Sequence, residues 1–130
     1  GMAFLSVKNS HKEEVINLAR KLKKIGFTLS GTKGTAEALK RNGMKCKTIN
    51  KVSSGKPHIV DILNSNKISL VINTGGGNSE TRVSDAKALR RATLINKVPY
   101  CTNMSTAYAC IKGIEALKTK KLRVSSLQDN

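Results

Sequence analysis

The chain has 130 residues, enough for one domain that folds without disulfides or metal. It carries 24 lysines and arginines against 8 aspartates and glutamates, a formal net charge of +16 at pH 7 that suits binding to a polyanion. Aromatic residues are only 3% of the chain and the lysines are spread along it, so a nucleic-acid-binding surface is not expected.

Cysteine usage and hydropathy lead to expectations about the cellular compartment. Three cysteines, Cys46, Cys101 and Cys110, lack Cys-x-x-Cys spacing, so neither a zinc site nor a disulfide framework is predicted. No apolar run reaches transmembrane length and no signal peptide is recognised, so a cytoplasmic protein without a membrane partner is expected. Residues 1–2 resemble a cloning remnant, and the sequence predicts one domain over 3–124 followed by a polar tail over 125–130.

The first strand and helix are predicted from an apolar run followed by a helical stripe. Residues 3–7 are typical of a short buried strand, and Ser10 with Glu13 forms the pattern of a capping box. Apolar residues then recur at helical spacing before a terminal Gly26. They are Val15, Leu18, Ala19, Leu22 and Ile25. The lysines of this helix are assigned to its solvated side: Lys12, Lys21, Lys23 and Lys24.

A glycine-rich turn over 30–36 joins a second strand, 27–30, to a helix over 36–42. Its sequence, Ser-Gly-Thr-Lys-Gly-Thr-Ala, places backbone N–H groups and a helix dipole at a strand end, the arrangement that binds an anion. The glycines allow positive φ and let an oxyanion approach the backbone without meeting a Cβ, while the other side chains supply hydroxyls and charge. The residues concerned are Gly31, Thr32, Lys33, Gly34 and Thr35. The turn lacks the Walker A ending, and an ordinary strand-to-helix turn with a threonine cap is an equally open interpretation.

The middle of the chain continues the alternation of strands and helices. A strand over 45–49, a polar loop over 50–57 and a short helix over 58–64 are predicted. The β-branched run 68–72 suits a central parallel strand covered on both faces. A second glycine-rich turn, Asn-Thr-Gly-Gly-Gly-Asn-Ser over 73–79, follows it directly.

The last third of the chain is predicted to hold a helix over 84–96, a strand over 98–101 and a final amphipathic helix. The first helix is predicted to point Ala86, Leu89, Ala92 and Ile95 inward and Lys87, Arg90 and Arg91 outward. The apolar face of the final helix is predicted to comprise Ala107, Cys110, Ile111, Ile114 and Leu117. A further short strand is considered over 122–127.

This order of elements predicts an α/β fold with a parallel sheet and helices on both faces. Ligands of such sheets bind at the carboxyl ends of the strands, so the polar segments that follow strands should converge on one rim. These segments are Lys8, the turn at 32–35, Lys51, the segment 73–77 and the segment 100–102. A rim with lysines, hydroxyls and two glycine-rich turns suits a phosphate with a larger group attached.

Several short motifs occur together in the order typical of one family. They are Phe4-Leu5-Ser6-Val7-Lys8, Gly31-Thr32-Lys33-Gly34-Thr35-Ala36, Asn50-Lys51-Val52, Gly55-Lys56-Pro57-His58-Ile59, Ile72-Asn73-Thr74 and Arg90-Arg91-Ala92. From Ala3 to about Val124 the chain resembles the methylglyoxal-synthase-like (MGS-like) domain at the C-terminus of the carbamoyl-phosphate synthase large chain. The resemblance implies a three-layer α/β/α fold with a five-stranded parallel sheet of strand order 3-2-1-4-5.

The resemblance also implies an allosteric regulatory unit that binds UMP as inhibitor and IMP as activator and takes part in the response to ornithine. It implies that the nucleotide phosphate is surrounded by Lys8, Thr32, Thr35 and Lys51, with Lys33 and Gly34 in the same turn. Asn73 and Thr74 would lie along the ribose and base, and Gly75 stands where the family commonly has a second threonine. Tyr100 and Thr102 match positions linked to ornithine or to an interdomain surface.

The domain itself is expected to use no cofactor and no metal, and to be non-catalytic. The parent enzyme, by resemblance, makes carbamoyl phosphate from bicarbonate, glutamine-derived ammonia and ATP with Mg or Mn. Its remaining domains and a glutaminase small chain would be the protein partners.

An alternative within the same superfamily is methylglyoxal synthase, an enzyme that removes phosphate from dihydroxyacetone phosphate. By resemblance its catalytic carboxylate would fall at Lys56 and its histidine at Arg82, and a cation cannot act as general base. Asp61 and Asp85 remain, but helix-terminal or surface roles are favoured for them, as are loop or helix-start roles for His11 and His58. The Lys-His-Pro loop expected of an inosinate cyclohydrolase domain is not found, and a basic nucleic-acid-binding module is the third alternative.

Overall fold

The computed structural model describes residues 1–75 and 79–128, with side chains up to residue 121. The strands are β1 (Met2–Ser6), β2 (Thr28–Gly31), β3 (Lys47–Thr48), β4 (Ile68–Asn73) and β5 (Tyr100–Cys101). The helices are α1 (Lys12–Lys24), α2 (Lys33–Arg41), α3 (Ile59–Asn64), α4 (Glu80–Ile95) and α5 (Met104–Gln128). Short 3₁₀ turns occur at Asn9–His11 and Val52–Ser54.

The strands form one parallel sheet in the order β3-β2-β1-β4-β5, which confirms the predicted fold class and strand order. The central strand is β1, and the apolar strand β4 lies beside it rather than at the centre. Within β4, Leu70, Val71 and Ile72 are all fully buried, as expected for a strand covered on both faces.

Two apolar clusters cover the two faces of the sheet. Because successive side chains of a strand point to opposite faces, Ala3 and Leu5 join one cluster and Phe4 joins the other. The first cluster includes residues of α1, α2 and α5, and the second includes residues of α3 and α4. This arrangement makes a three-layer domain in which the carboxyl ends of β1, β2 and β4 share one edge.

The start of α1 differs from the prediction. A 3₁₀ turn occupies Asn9–His11, the N-cap of α1 is His11, and no side chain caps the helix. The predicted capping box of Ser10 and Glu13 is therefore wrong, because the 3₁₀ turn moves the helix start past Ser10.

The glycine-rich turn is more compact than predicted, because α2 begins at Lys33 and takes in Gly34 and Thr35. Positive φ among the described glycines occurs at Gly26, Gly43 and Gly55, so the turn does not use the conformational freedom of Gly31 and Gly34. Gly31 serves close packing instead. A Cβ at that position would lie 2.7 Å from the carbonyl oxygen of Leu5 in β1.

Three assignments near the ends of elements are also wrong. Ile95 is 71% exposed, because it lies about 200° around α4 from the buried Thr93 at 3.6 residues per turn. Leu117 is 62% exposed, whereas Ile111, earlier in the 25-residue helix α5, is buried. The segment 122–127 belongs to α5 rather than to a strand. Residues 129–130 of the predicted polar tail lie outside the described part of the chain.

Candidate functional site

Two adjoining cavities open at the carboxyl edge of the sheet and together form what we call the groove. Its polar half has a volume of about 470 Å³ and its apolar half a volume of about 250 Å³. Both halves are lined by Ser6 at the end of β1, by Thr32 after β2 and by Gly75 after β4. Lys51 and Arg82 also line both halves. Four of the five predicted segments thus contribute described residues to the groove, whereas the segment 100–102 lines neither half.

The polar half is lined by five cationic side chains that come from five separate segments. They are Lys8, Lys12, Lys33, Lys51 and Arg82. None of the described residues that line this half carries a carboxylate. An anion is the ligand that such a lining attracts.

Lys12 is the least exposed of the five cations that line the groove. Its Nζ donates hydrogen bonds to the carbonyl oxygen of Val7, at 2.5 Å, and to Oγ1 of Thr35, at 3.2 Å. Burial, with a smaller contribution from the charge of Lys51, lowers the pKa of Lys12 below its usual range. The assignment of Lys12 to the solvated side of its helix is wrong. The available signal was its place in the first helical turn after β1, which puts it at the carboxyl edge of the sheet.

The two threonines of the turn have different positions. Thr32 lines both halves of the groove, whereas Thr35 is fully buried and lines neither. Oγ1 of Thr35 accepts hydrogen bonds from the backbone N–H of Val7, from Lys12 and from the hydroxyl of Thr32. Thr35 thus holds the end of β1, Lys12 and Thr32 in fixed relative positions. Gly34 lines the polar half, as does Lys33.

The residues after β4 contact the groove and its surroundings. Asn73 lines the apolar half; its Nδ2 donates to the hydroxyl of Tyr100 at 3.1 Å and its Oδ1 accepts from the backbone N–H of Gly75 at 3.2 Å. Thr74 is buried behind the groove, with its Oγ1 3.0 Å from Nδ1 of His11. Tyr100 reaches the groove through Asn73, whereas Thr102 is exposed and lines neither half.

The apolar half has a hydrophobic lining on the face of the sheet that α3 and α4 cover. Its apolar residues are Phe4, Val52, Ile59, Ala86 and Leu89. Asp85 of α4 also lines this half and accepts a hydrogen bond from Ser53 at 2.6 Å. Sequence analysis gave Asp85 a helix-terminal or surface role and gave the apolar residues no role in the site, because they become neighbours only when α4 packs beside the 3₁₀ turn at Val52–Ser54.

The remaining candidates lie at helix starts or outside the groove. Asp61 accepts from the backbone N–H of His58 at 2.9 Å at the start of α3, in agreement with a helix-terminal role. His11 is the N-cap of α1 and His58 that of α3. Lys56 is exposed and lines neither half, whereas Arg82 lines both.

The described residues offer neither a membrane-spanning helix nor a metal-binding cluster. Among residues 1–75 and 79–128, no helix is long and apolar enough to cross a membrane. The same residues contain no group of three His, Cys, Asp or Glu side chains that could hold a metal ion.

The fold and the groove define an open parallel α/β domain with a cationic site at the carboxyl edge of its sheet. The model of the MGS-like domain family matches residues 14–102, and the chain belongs to that family. The family suggested by the sequence motifs is therefore confirmed. The chain also resembles the methylglyoxal synthase structure from Elizabethkingia anophelis NUHP1, with a TM-score of 0.66, 15% identity and coverage of 85% of this chain and 76% of that one. At this identity the likeness concerns the fold alone.

The chain is similar in sequence to several carbamoyl phosphate synthase large chains. The chain is 44% identical over 129 residues to the carbamoyl phosphate synthase large chain of Brucella suis biovar 1, covering 99% of this chain and 11% of that protein. It is 40% identical to the C-terminal section of the carbamoyl phosphate synthase large chain from Methanopyrus kandleri, covering 99% of this chain and 24% of that protein. The corresponding section from Aquifex aeolicus is also 40% identical, with coverage of 99% and 25%. The chain thus spans between about a tenth and a quarter of the length of these relatives.

Proposed function

We propose that this chain is the allosteric effector-binding domain of a carbamoyl-phosphate synthase large chain and that the groove binds a nucleoside monophosphate. The observation that carries the proposal is the direct junction of a cationic half with an apolar half. The phosphate lies in the polar half, the base lies in the apolar half, and the ribose lies near the shared residues Ser6, Thr32 and Gly75. UMP is the proposed inhibitor and IMP the proposed activator.

The phosphate is bound by ammonium groups and by the hydroxyl of Thr32. Charge-assisted hydrogen bonds from Lys12 and Lys51 are the main attraction, and Lys8, Lys33 and the backbone of Gly34 complete the lining. Thr35 acts through its hydrogen bonds to Lys12 and Thr32 rather than by direct contact.

The base packs between apolar side chains of the two sides of the groove, chiefly Phe4, Val52 and Leu89. Asn73, whose amide is fixed by Tyr100 and Gly75, supplies the polar contact on the ribose side. Thr74 supports this segment from behind. Glycine at position 75 removes a hydroxyl that the family commonly offers, so the effector preference can differ. Ornithine, if it acts, would bind near Tyr100 and Thr102.

Regulation follows from linkage between the nucleotide site and the rest of the enzyme. A ligand that binds the low-activity state more tightly shifts the population toward that state. In this proposal the chemistry belongs to other domains of the large chain, which use ATP with Mg or Mn and ammonia from a glutaminase small chain. The domain itself needs no cofactor, and the product serves pyrimidine and arginine biosynthesis in the cytoplasm.

Calorimetric titration with UMP and IMP tests the proposal. Lys12→Ala and Lys51→Ala should each weaken binding roughly ten- to a hundredfold, because a hydrogen bond to a charged group contributes about 1.5–3 kcal/mol and about 1.4 kcal/mol is tenfold. Lys8→Ala should have a smaller effect, since Lys8 is exposed. Lys87→Ala is the matched control, because Lys87 is an exposed lysine of α4 that does not line the groove. No binding of either nucleotide, or equal losses in all variants, would contradict the proposed site.

A phosphate lyase of the methylglyoxal synthase type is the second candidate, because a cationic groove on this fold also suits dihydroxyacetone phosphate. That reaction needs a general base beside the substrate carbon. Asp85 lines the apolar half and accepts a hydrogen bond from Ser53, whereas the described lining of the polar half offers no carboxylate. We therefore expect no enzyme-like formation of methylglyoxal from dihydroxyacetone phosphate by the purified chain, and a product assay distinguishes the two functions.

A further inference from the structure

We propose that Cys101 and Cys110 form a reversible modification site, at which exchange with a small disulfide such as oxidised glutathione joins the two thiols in an intramolecular disulfide. The site lies outside the groove, and the proposal does not depend on the function proposed for the groove. The cysteine spacing of the sequence argues against a structural disulfide framework. The bond proposed here is of a different kind, because it forms and breaks with the ratio of oxidised to reduced glutathione.

The first observation is that the fold places the two cysteines on elements that contact each other. Cys101 is the last residue of β5, and α5 begins three residues later, at Met104. Cys110 lies in the second turn of α5, and α5 contacts β5. Cys101 is buried in the apolar cluster on this face of the sheet, and Cys110 packs against the same cluster. A short connection and a shared cluster therefore bring the two thiols together.

The second observation is that Cys101 has a thiol as its neighbour, whereas Cys46 does not have one among the causes that shift its pKa. Burial raises the pKa of Cys101 to about 11, and the thiol of Cys110 adds to the rise through its charge and through hydrogen bonding. Burial also raises the pKa of Cys46 to about 11, but the neighbouring charge there is that of Lys40. Cys46 directly precedes β3, and β3 and β5 lie at opposite edges of the sheet. Cys46 is thus a buried thiol of the same cluster that stands apart from the pair.

The third observation is the difference in exposure between the two members of the pair. Cys101 is 3% exposed, whereas Cys110 is half-buried, so a small disulfide in solution reaches Cys110 first. Redox-active cysteines are accessible to solvent and often lie beside a second cysteine that resolves the first product. Cys110 is placed for the first role and Cys101 for the second.

The reaction consists of two exchange steps. The thiolate of Cys110 attacks one sulfur of oxidised glutathione, which forms a mixed disulfide and releases one glutathione thiolate. The thiolate of Cys101 then attacks Sγ of Cys110, which forms the bond between the two cysteines and releases the second glutathione thiolate. The two cysteine sulfurs are oxidised, the two glutathione sulfurs are reduced, and the two cysteine protons pass to the released thiolates. Reduced glutathione reverses both steps.

The test is equilibration of the full chain with mixtures of reduced and oxidised glutathione, in native buffer and in urea that unfolds the chain. After quenching with acid and alkylation of the remaining thiols, mass spectrometry measures the fraction of chains that have lost two hydrogens. Trypsin leaves both cysteines in the peptide 98–112, and cyanogen bromide then cuts after Met104, so the two parts stay joined only by the proposed bond. We expect the equilibrium constant for this bond to be at least about tenfold higher in native buffer than in urea, because the fold raises the effective concentration of one thiol at the other.

Two variants and a stability measurement accompany the titration. Cys110→Ser should abolish the bond, whereas Cys46→Ser, which removes a buried thiol of the same cluster, should leave its equilibrium constant unchanged. The oxidised chain should have a higher Tm than the reduced chain, since a bond that is more stable in the folded chain stabilises that chain in return. The wild-type peptide map and Cys46→Ser decide the matter even if Cys110→Ser does not fold.

Three outcomes would overturn the proposal. The first is a mixed disulfide that persists on Cys110 without closing onto Cys101. The second is a bond that is no more stable in native buffer than in urea, because the native fold would then not hold the thiols together. The third is loss of the native circular dichroism spectrum on oxidation, since the bond would then form only in an unfolded chain.

Discussion

At the scale of single residues, the ammonium of Lys12 has the most distinctive environment in the groove. Burial and the charge of Lys51 both lower its pKa. In the pH range between this lowered pKa and the ordinary one, the unfolded chain binds more protons at Lys12 than the native chain does. The contribution of Lys12 to the free energy of unfolding therefore rises as the pH increases through that range. A ligand phosphate should reverse the shift, because an anion favours the charged form.

We expect NMR titration of ¹³C-labelled lysines to show that the pKa of Lys12 lies below the ordinary range of a lysine side chain. Lys51→Ala should move the Lys12 titration upward, since it removes one of the two causes of the shift. Inorganic phosphate should move it upward in the wild-type chain. A Lys12 that titrates in the ordinary lysine range in all three conditions would show that its ammonium is solvated and does not belong to the groove.

Gly31 is expected to tolerate no side chain, in contrast to Gly34. A Cβ at position 31 would lie 2.7 Å from the backbone oxygen of Leu5, which cannot move aside without displacing β1. At position 34 the nearest atoms would be Cε and Nζ of Lys12 at 3.7 Å, an ordinary contact with a flexible side chain. Gly31→Ala should lower the free energy of unfolding by about 1–3 kcal/mol, as overpacking does, whereas Gly34→Ala should leave it nearly unchanged. Urea denaturation of both variants measures the difference, and equal stabilities would contradict the close approach of β2 to β1.

The sequence predicted the position of a site residue where that position depends on neighbouring residues in the chain. Thr32, Lys33 and Lys51 directly follow strands or belong to the glycine-rich turn, so chain order alone placed them at the correct edge. Lys12 was assigned to the solvated side because it is a lysine, although it lies three residues before the buried Val15 and therefore on the same face of α1. Asp85 was assigned a helix-terminal or surface role, because its neighbour Ser53 is 32 residues away and only tertiary packing brings them together.

At the scale of elements, the apolar residues predicted to lie on one face of α4 differ in how far they are buried. Leu89 is 5% exposed and packs in the cluster with Phe4 and Val71, whereas Ile95 is 71% exposed. Leu89→Ala should therefore lower the free energy of unfolding by about 2–5 kcal/mol. Ile95→Ala removes a similar side chain from the surface of the same helix and should change it by no more than about 0.5 kcal/mol.

Urea denaturation of the two variants provides the comparison. A large loss of stability in Ile95→Ala would mean that the last turn of α4 packs against the core, as the spacing of apolar residues in the sequence first suggested. Leu89 also lines the apolar half of the groove, so its variant should weaken nucleotide binding as well, whereas Ile95→Ala should bind normally.

The number, order and parallel pairing of the strands were predictable because they depend on alternating apolar runs and on the handedness of strand–helix–strand units. The ends of the elements were less predictable, because they depend on how far each element overlaps the sheet. Residues 45–49 have strand-like alternation, but only Lys47–Thr48 pair with β2. Leu117 continues the apolar spacing of α5 but is 62% exposed, whereas Ile111 of the same helix is buried.

At the scale of the whole molecule, the net charge of +16 has two separable effects on stability. Like charges repel one another in the compact state, and any salt screens this repulsion, with a Debye length of about 8 Å at physiological ionic strength. A phosphate bound in the groove adds a specific contribution of about 2.7 kcal/mol when its concentration is 100 times its Kd. Sodium phosphate should therefore raise Tm more than sodium chloride does at the same ionic strength.

Variants of the chain separate the specific contribution from the general ones. Phosphate is also excluded from protein surfaces and stabilises folded states without a site, so part of its advantage over chloride should remain in any variant. The double variant Lys12→Ala/Lys51→Ala should lose the specific part and show a smaller difference in Tm between phosphate and chloride. Lys87→Ala/Lys112→Ala removes the same charge from exposed positions outside the groove and should keep the wild-type difference. If both double variants reduce the difference equally, phosphate stabilises the chain through its overall charge, and the cations of the groove have no special part in it.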